Sequence, residues 1–202
     1  MEKNLVQELK YKKENNMIKA VVWDIGGVIL EDHMVYSFWD NKVGSKQLRL
    51  EFGTGKITLK EFIGKGGELF AITEEEFFKR YKEAYYSIKS INENLERYKQ
   101  MKTPKYILSD TNQVHVEFIK EFYPEVLSLA KKCYLSHEIN MRKNSIDVFN
   151  YVIKDLKLLP SEILFIDDKK PHIDLAKKAG MNAIHYINPE QLREELNKLN
   201  VK

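Results

Sequence analysis

Residues 18–29 read IKAVVWDIGGVI, and this stretch decides the fold. The run from Ile18 to Trp23 is apolar and contains consecutive Val21 and Val22, the pattern of a strand buried on both faces of a parallel sheet. Asp24 and then the pair Gly26-Gly27 follow at once, so the strand ends in a carboxylate and a turn. Runs of the same character recur at Lys105–Leu108, Cys133–Leu135, Ile163–Ile166 and Ala183–Ile187, separated by stretches of helical period. That alternation predicts an α/β protein with a Rossmann-like, doubly wound parallel sheet and helices on both faces. Val148, Phe149, Val152 and Leu156 recur at helical spacing, with Pro160-Ser161 ending that helix. Asn188-Pro189 opens a C-terminal helix, with Gln191 placed to complete a capping box.

Between residues 34 and 98 no convincing strand is found, and two helix starts stand at capping-box spacing, Thr58 with Glu61 and Thr73 with Glu76. Phe77, Phe78, Tyr81, Ala84, Tyr85 and Ile88 form an apolar stripe, read chiefly as the core of a small helical bundle with some rings free to line a pocket. The expected organisation is an N-terminal extension (1–16), an α/β core (17–33 and 99–202) and a small inserted α-helical cap (34–98) over the end of the first strand.

The 202 residues fit one domain carrying an inserted lobe. With 43% hydrophobic and 31% charged residues the chain is neither disordered nor fibrous. Against 30 acidic residues, 33 Lys plus Arg leave a net charge of only +3 with no dense basic cluster, which speaks against a nucleic-acid partner. No window approaches the roughly 18 apolar residues of a membrane span. The single cysteine, Cys133, cannot form an intrachain disulfide. A reducing, cytoplasmic setting is therefore expected, with the protein a monomer or homodimer.

In an open parallel sheet ligands bind beyond the carboxyl ends of the strands. Four polar groups follow the apolar runs there: Asp24, Ser109-Asp110-Thr111-Asn112, Arg142-Lys143 and Asp167-Asp168. Singly each is explained by helix capping or solvation. Together they supply a carboxylate nucleophile, a hydroxyl, a cation and a carboxylate pair, the inventory of phosphoryl transfer through an aspartyl intermediate. Clustered carboxylates repel one another unless a cation sits among them, and an all-oxygen site facing a phosphate favours Mg²⁺. Asp24 and Asp168 are its expected ligands, with Asp167 beside them. Ser109 and Lys143 are expected to hold phosphate oxygens, and Gly26-Gly27 to let the backbone approach the ion and the phosphate.

The motifs resemble, in order from Met17 to the C-terminus, those of the haloacid dehalogenase superfamily. VVWDIGGVI is similar to its first motif, which implies Asp24 as nucleophile and the Gly26 carbonyl as a metal ligand. ILSDTN is similar to the second, implying Ser109 in phosphate binding; MRKN to the third, implying Lys143; and FIDDKKPHIDLAKKAGM to the fourth, implying Asp168 as metal ligand with Asp167 beside it. The superfamily places a small helical cap where the insertion falls. The chain is most similar to the branch that includes glucose-1-phosphate phosphatases.

Four positions depart from that pattern. Gly26 stands where most phosphatases of the superfamily carry an acid that protonates the leaving alcohol, and losing such a group typically costs about 100- to 10,000-fold in rate. Asp110 and Asn144 stand where the branch shows Asn and Pro; Asp110 adds negative charge to a phosphate-binding loop, to be neutralised by Mg²⁺ or Lys143. His172 is read as a solvated or capping side chain, with a proton shuttle as the sharper alternative. The resulting expectation is a Mg²⁺-dependent phosphatase of a small phosphorylated metabolite such as a sugar phosphate. A catalytically weakened phosphate-binding or regulatory protein is the alternative. A metal-free dehalogenase is disfavoured by Asp167-Asp168. Phe52, Lys56, Tyr85 and Tyr86 are candidates for substrate selection.

Overall fold

The computed structural model describes residues 17–31 and 42–201. The extension 1–16 and the expected core-to-cap boundary at residues 33 and 34 lie outside the described residues. The chain forms strands β1 (Ala20–Trp23), β2 (Leu30–Glu31), β3 (Lys89–Ser90), β4 (Lys105–Ser109), β5 (Cys133–Leu135), β6 (Ile163–Asp167) and β7 (Asn182–His185). Five of them make one parallel sheet in the order β5-β4-β1-β6-β7. From β1 the chain builds outward to β5 on one side, then returns to place β6 and β7 on the other. The crevice of such a sheet therefore opens at the carboxyl end of β1, beside Asp24.

All four residues of β1 are fully buried. Val21 and Trp23 join one apolar cluster with Ile107, Leu164 and Ile166; Val22 joins a second, on the opposite face, with Leu108, Phe149 and Phe165. This two-residue period with both faces covered explains why the strand reads as continuous hydrophobicity.

Among the described residues three helices lie between β2 and β3: α1 (Ser45–Gly53), α2 (Leu59–Phe70) and α3 (Glu74–Tyr85). Thr58 and Glu61 form a reciprocal capping box on α2, whereas at α3 Thr73 accepts from the Glu76 amide while the Glu76 carboxylate turns to Arg80. The lobe is welded by rings: Phe52 stacks on Phe62 at 4.1 Å, and Phe62 lies against Tyr81 at 4.9 Å.

Helix α4 (Asn92–Gln100) falls inside the span expected to be cap, yet it packs on the sheet. Tyr98 stands edge-on to Trp23 at 5.7 Å and donates to the Val126 carbonyl at 2.8 Å, and Asn94 Nδ2 donates to the Val28 carbonyl at 2.6 Å. The span also contains β3, paired antiparallel with β2. Two residues per strand are too few to show a period, so this pair escaped the sequence pattern.

The remaining helices are α5 (Gln113–Phe122), α6 (Pro124–Ser128), α7 (Ser136–Ile139), α8 (Ile146–Leu156), α9 (Lys170–Lys178) and α10 (Pro189–Lys198). Helix α8 stops before the expected Pro160-Ser161, because Lys157 takes a left-handed cap at φ 54° once the apolar face ends at Leu156; Pro160–Glu162 is a separate 3-10 turn. At α10 Asn188 accepts from the Gln191 amide at 2.9 Å, but the Gln191 side chain returns to the Ile187 amide, one residue short of the expected box. Among the described residues no helix is long and apolar enough to cross a membrane.

Candidate active site

Asp24 is the first residue beyond β1 and Asp167 the last of β6, so the pairing of those two strands delivers both carboxylates to one edge. Lys143, in the turn before α8, lies between them: its Nζ is 2.7 Å from Asp24 Oδ2 and 2.6 Å from Asp167 Oδ2. All three side chains are almost completely buried. The Ile25 amide donates to Asp24 Oδ1 at 2.8 Å, and the Lys169 amide to Asp167 Oδ1 at 2.7 Å.

Burial pushes the Asp24 carboxyl up to about 8, with Lys143 opposing and Asp167 adding to the rise. Burial acts the same way on Asp167, but Lys143 and His172 outweigh it and hold that carboxyl below the usual range. Lys143 loses water too, yet Asp24, Asp167 and Asp110 together raise it above its ordinary value. The cluster is thus a buried ammonium spanning two carboxyl groups, and removing Lys143 leaves both without their countercharge.

Asp168 completes a group of three: ligand oxygens of Asp24, Asp167 and Asp168 all lie within 4.8 Å of one another. Its Oδ1 is buried with no hydrogen-bond partner among the described residues, while its backbone carbonyl faces His185 Nε2 at 2.9 Å. A side-chain oxygen stranded beside two other carboxylates is what a hard divalent cation satisfies, so the residues present fit Mg²⁺. Gly27 makes the room. At φ 75° it sits where a Cβ would stand 2.5 Å from Asp168 Oδ2, so any side chain there would displace the carboxylate. The Gly26 end of this turn is closed by a bond from the Gly27 amide to the Leu30 carbonyl at 2.7 Å. Ser109 ends β4, is buried, and its hydroxyl makes no hydrogen bond to any described residue.

Asp110 is not the uncompensated charge its position suggests. Its Oδ1 accepts from the Lys143 amide at 3.1 Å and its Oδ2 pairs with Arg142 Nη2 at 3.1 Å, so Arg142 and a backbone amide join the Lys143 ammonium, which also feels this carboxylate, in neutralising it. His172 is neither solvated nor a cap: its Nδ1 is 3.0 Å from Asp167 Oδ2, its ring is largely buried, and Lys169 occupies the N-cap of α9.

Above this edge lies a cavity of about 430 Å³, with Asp110, Thr111, Asn112, His115, Arg142, Asn144 and His172 on the core side and Lys46, Arg49, Leu50, Gly53, Tyr81 and Tyr85 from the helical lobe. Of the four residues expected to select substrate, Tyr85 lines it. Lys56 borders a second depression of about 340 Å³ beyond Arg142. Phe52 is buried within the lobe, and Tyr86 faces outward against Phe118 and Phe122. His115 was missed, since a histidine inside a helical stripe carries no sequence signal of its own. It is buried, stacks on Tyr85 at 5.2 Å, meets Thr111 Oγ1 through Nδ1 at 3.0 Å, and burial pulls it down to about 4.

The lobe is fastened to the core at one end of α1. Ser136 Oγ donates toward the Gly53 carbonyl at 2.6 Å and the Thr111 carbonyl at 2.9 Å, and accepts from the Thr111 amide at 2.9 Å. Asn140 Nδ2 donates to the Thr54 carbonyl at 2.8 Å. On the other side Asn112 Nδ2 reaches the Tyr85 hydroxyl at 3.0 Å.

A family profile for haloacid dehalogenase-like hydrolases matches residues 18–180, from the first strand to the end of α9 and beyond. The chain belongs to the haloacid dehalogenase-like hydrolase family. A D-ribitol-5-phosphate phosphatase of Bacteroides thetaiotaomicron is 28% identical to it, with 89% of this chain and 97% of the relative aligned. Among solved structures, a HAD-like hydrolase of Porphyromonas gingivalis superposes with a TM-score of 0.75 at 20% identity over 92% of this chain and 99% of its own. A HAD-family enzyme of B. thetaiotaomicron, determined as a magnesium complex, gives 0.69 at 24% identity over 85% and 94%. These two likenesses are of fold: the parallel sheet flanked by helices is the architecture of the family.

Proposed function

We propose that this hydrolase is a Mg²⁺-dependent phosphatase of a small polyol or sugar phosphate, working through an aspartyl-phosphate on Asp24. The observation that carries the reading is the convergence of Asp24, Asp167 and Asp168 within 4.8 Å around an unsatisfied buried oxygen, with Lys143 spanning two of them. The B. thetaiotaomicron relative that acts on D-ribitol 5-phosphate supports the substrate class.

Asp24, Asp168 and the Gly26 carbonyl would hold Mg²⁺, with Asp167 beside it. Bound there, the ion supplies positive charge between the carboxylates and the phosphate. The remaining chemistry falls to the chain. The Ile25 amide fixes one oxygen of Asp24, and the other attacks phosphorus as the bond to the leaving alcohol breaks. Lys143 opposes the rise that burial imposes on Asp24 and offers its ammonium to the transferring oxygens, while the unengaged Ser109 hydroxyl donates to another. Water then attacks the aspartyl-phosphate, releasing phosphate and restoring Asp24. With glycine at position 26 the leaving alkoxide finds no carboxylic acid there, so substrates with good leaving groups turn over fastest. The helices α1 to α3 act as the cap that selects the alcohol.

The test is phosphate release from a panel of polyol and sugar phosphates with Mg²⁺ and with EDTA. Turnover is expected with Mg²⁺ alone, and Asp24→Asn should lower it by about a thousandfold or more while unfolding as cooperatively as wild type. Thermal stabilisation by these ligands with no turnover in wild type would instead establish a binding protein.

A further inference from the structure

One side chain in the cavity wall is oriented with care that phosphate transfer itself does not require. Arg142 pairs through Nη2 with Asp110, and among the described residues nothing else accepts from its guanidinium. A guanidinium carries five N–H donors in a rigid fork, so most of them are left for the cavity that Arg142 lines. The fork is also roofed. A Cβ on Gly53 would come within 3.1 Å of Arg142 Nη1, so the bare end of α1 closes over the guanidinium.

The charge around it decides what it can hold. Asp110 neutralises Arg142, which turns the guanidinium from an anion trap into an array of donors for neutral oxygens. Asn112 and Asn144 line the same wall and the Tyr85 hydroxyl faces Asn112 at 3.0 Å, so this part of the cavity pairs with hydroxyl groups, which both donate and accept, while Lys46 and Arg49 bring positive charge from the lobe side.

We propose that Arg142 is the specificity-determining residue of this hydrolase: its open edge donates to hydroxyl oxygens of the leaving alcohol and selects polyhydroxylated phosphomonoesters over those without hydroxyls. Asp110 is its positioning residue, with one oxygen on Arg142 and the other on the Lys143 amide, so a single carboxylate registers the alcohol site against the phosphate site. This inference rests on the phosphatase reading and adds the substrate feature recognised.

The experiment compares kcat/KM for D-ribitol 5-phosphate with that for acetyl phosphate, which has no hydroxyl to recognise. Arg142→Met is expected to lower the ratio of the two about tenfold or more, chiefly through KM for the polyol phosphate. Arg142→Lys, which keeps the charge opposite Asp110 but loses the fork, is expected to lower it about threefold or more; this variant decides the matter if Arg142→Met does not fold. Asp110→Asn should lower the ratio and also kcat for acetyl phosphate, since both arms of the clamp loosen. An unchanged ratio in Arg142→Lys, or an equal fall for both substrates in Arg142→Met, overturns the inference and leaves the phosphatase reading standing. A wild type that hydrolyses neither compound overturns both.

Discussion

The carboxylate edge of the sheet and the helical lobe above it are held together by different forces. At the edge, charged groups from β1, β6 and the turn before α8 are buried and fixed by contacts of 2.6–2.8 Å, each specific in direction. In the lobe, aromatic rings at 4.1–4.9 Å fill space without prescribing direction. Ring packing accepts exchanges of similar volume, whereas a buried ion cluster accepts almost none. A protein built this way can change the molecule it recognises while its reacting atoms stay where they are.

The sharpest test of that contrast is Lys143→Met. It conserves length but strands Asp24 and Asp167 without a countercharge, and should destabilise the protein by about 3–5 kcal/mol, read as a lower midpoint in denaturant. A loss below about 1 kcal/mol would mean the edge is no stiffer than the lobe.

His115 probes the boundary between the two. It is buried and its folded value of about 4 lies below the ordinary 6.5, so the unfolded chain binds the proton first as pH falls. Stability is therefore expected to be full above pH 6.5 and to drop by up to ~3 kcal/mol on approaching pH 4, and His115→Gln should flatten that slope. Equal slopes for the two proteins between pH 6.5 and 4 would contradict the assignment.

Gly27→Ala tests the edge through the metal. Displacing the Asp168 carboxylate should raise the Mg²⁺ concentration for half-maximal activity by about 10- to 100-fold. The smallest effect is expected from Ser136→Ala, which removes one of the ties between lobe and core and should cost about 1–2 kcal/mol of stability. If it also shifts KM for the polyol phosphate with kcat unchanged, the tie serves recognition and not chemistry.

The same contrast explains what could be read in advance. Asp24, Ser109 and Asp167-Asp168 were legible because each ends or directly follows an apolar run, so the sheet gathers them at one edge, whereas Lys143 arrives from the turn eight residues beyond β5. Even Thr58 and Glu61 announced their helix start. The cavity wall was not legible: Phe52 turned into the lobe and Tyr86 away from it, while Arg49, Tyr81 and His115 came to the cavity, since helical spacing names a face without saying what that face meets. Of the groups that neutralise Asp110, Lys143 was legible and Arg142 was not, for a related reason. Arg142 is 32 residues away from Asp110 and becomes its neighbour only when the turn before α8 folds over β4.

Ser136 offers two carbonyls, Gly53 on the lobe and Thr111 on the core, a hydroxyl that owns a single proton. A proton aimed at one is largely withdrawn from the other, so this hydroxyl divides one donation between the two halves. The Asn140 amide supplies a second grip at the next residue, Thr54, so the α1 terminus and the roof it makes over Arg142 are pinned at two adjacent carbonyls.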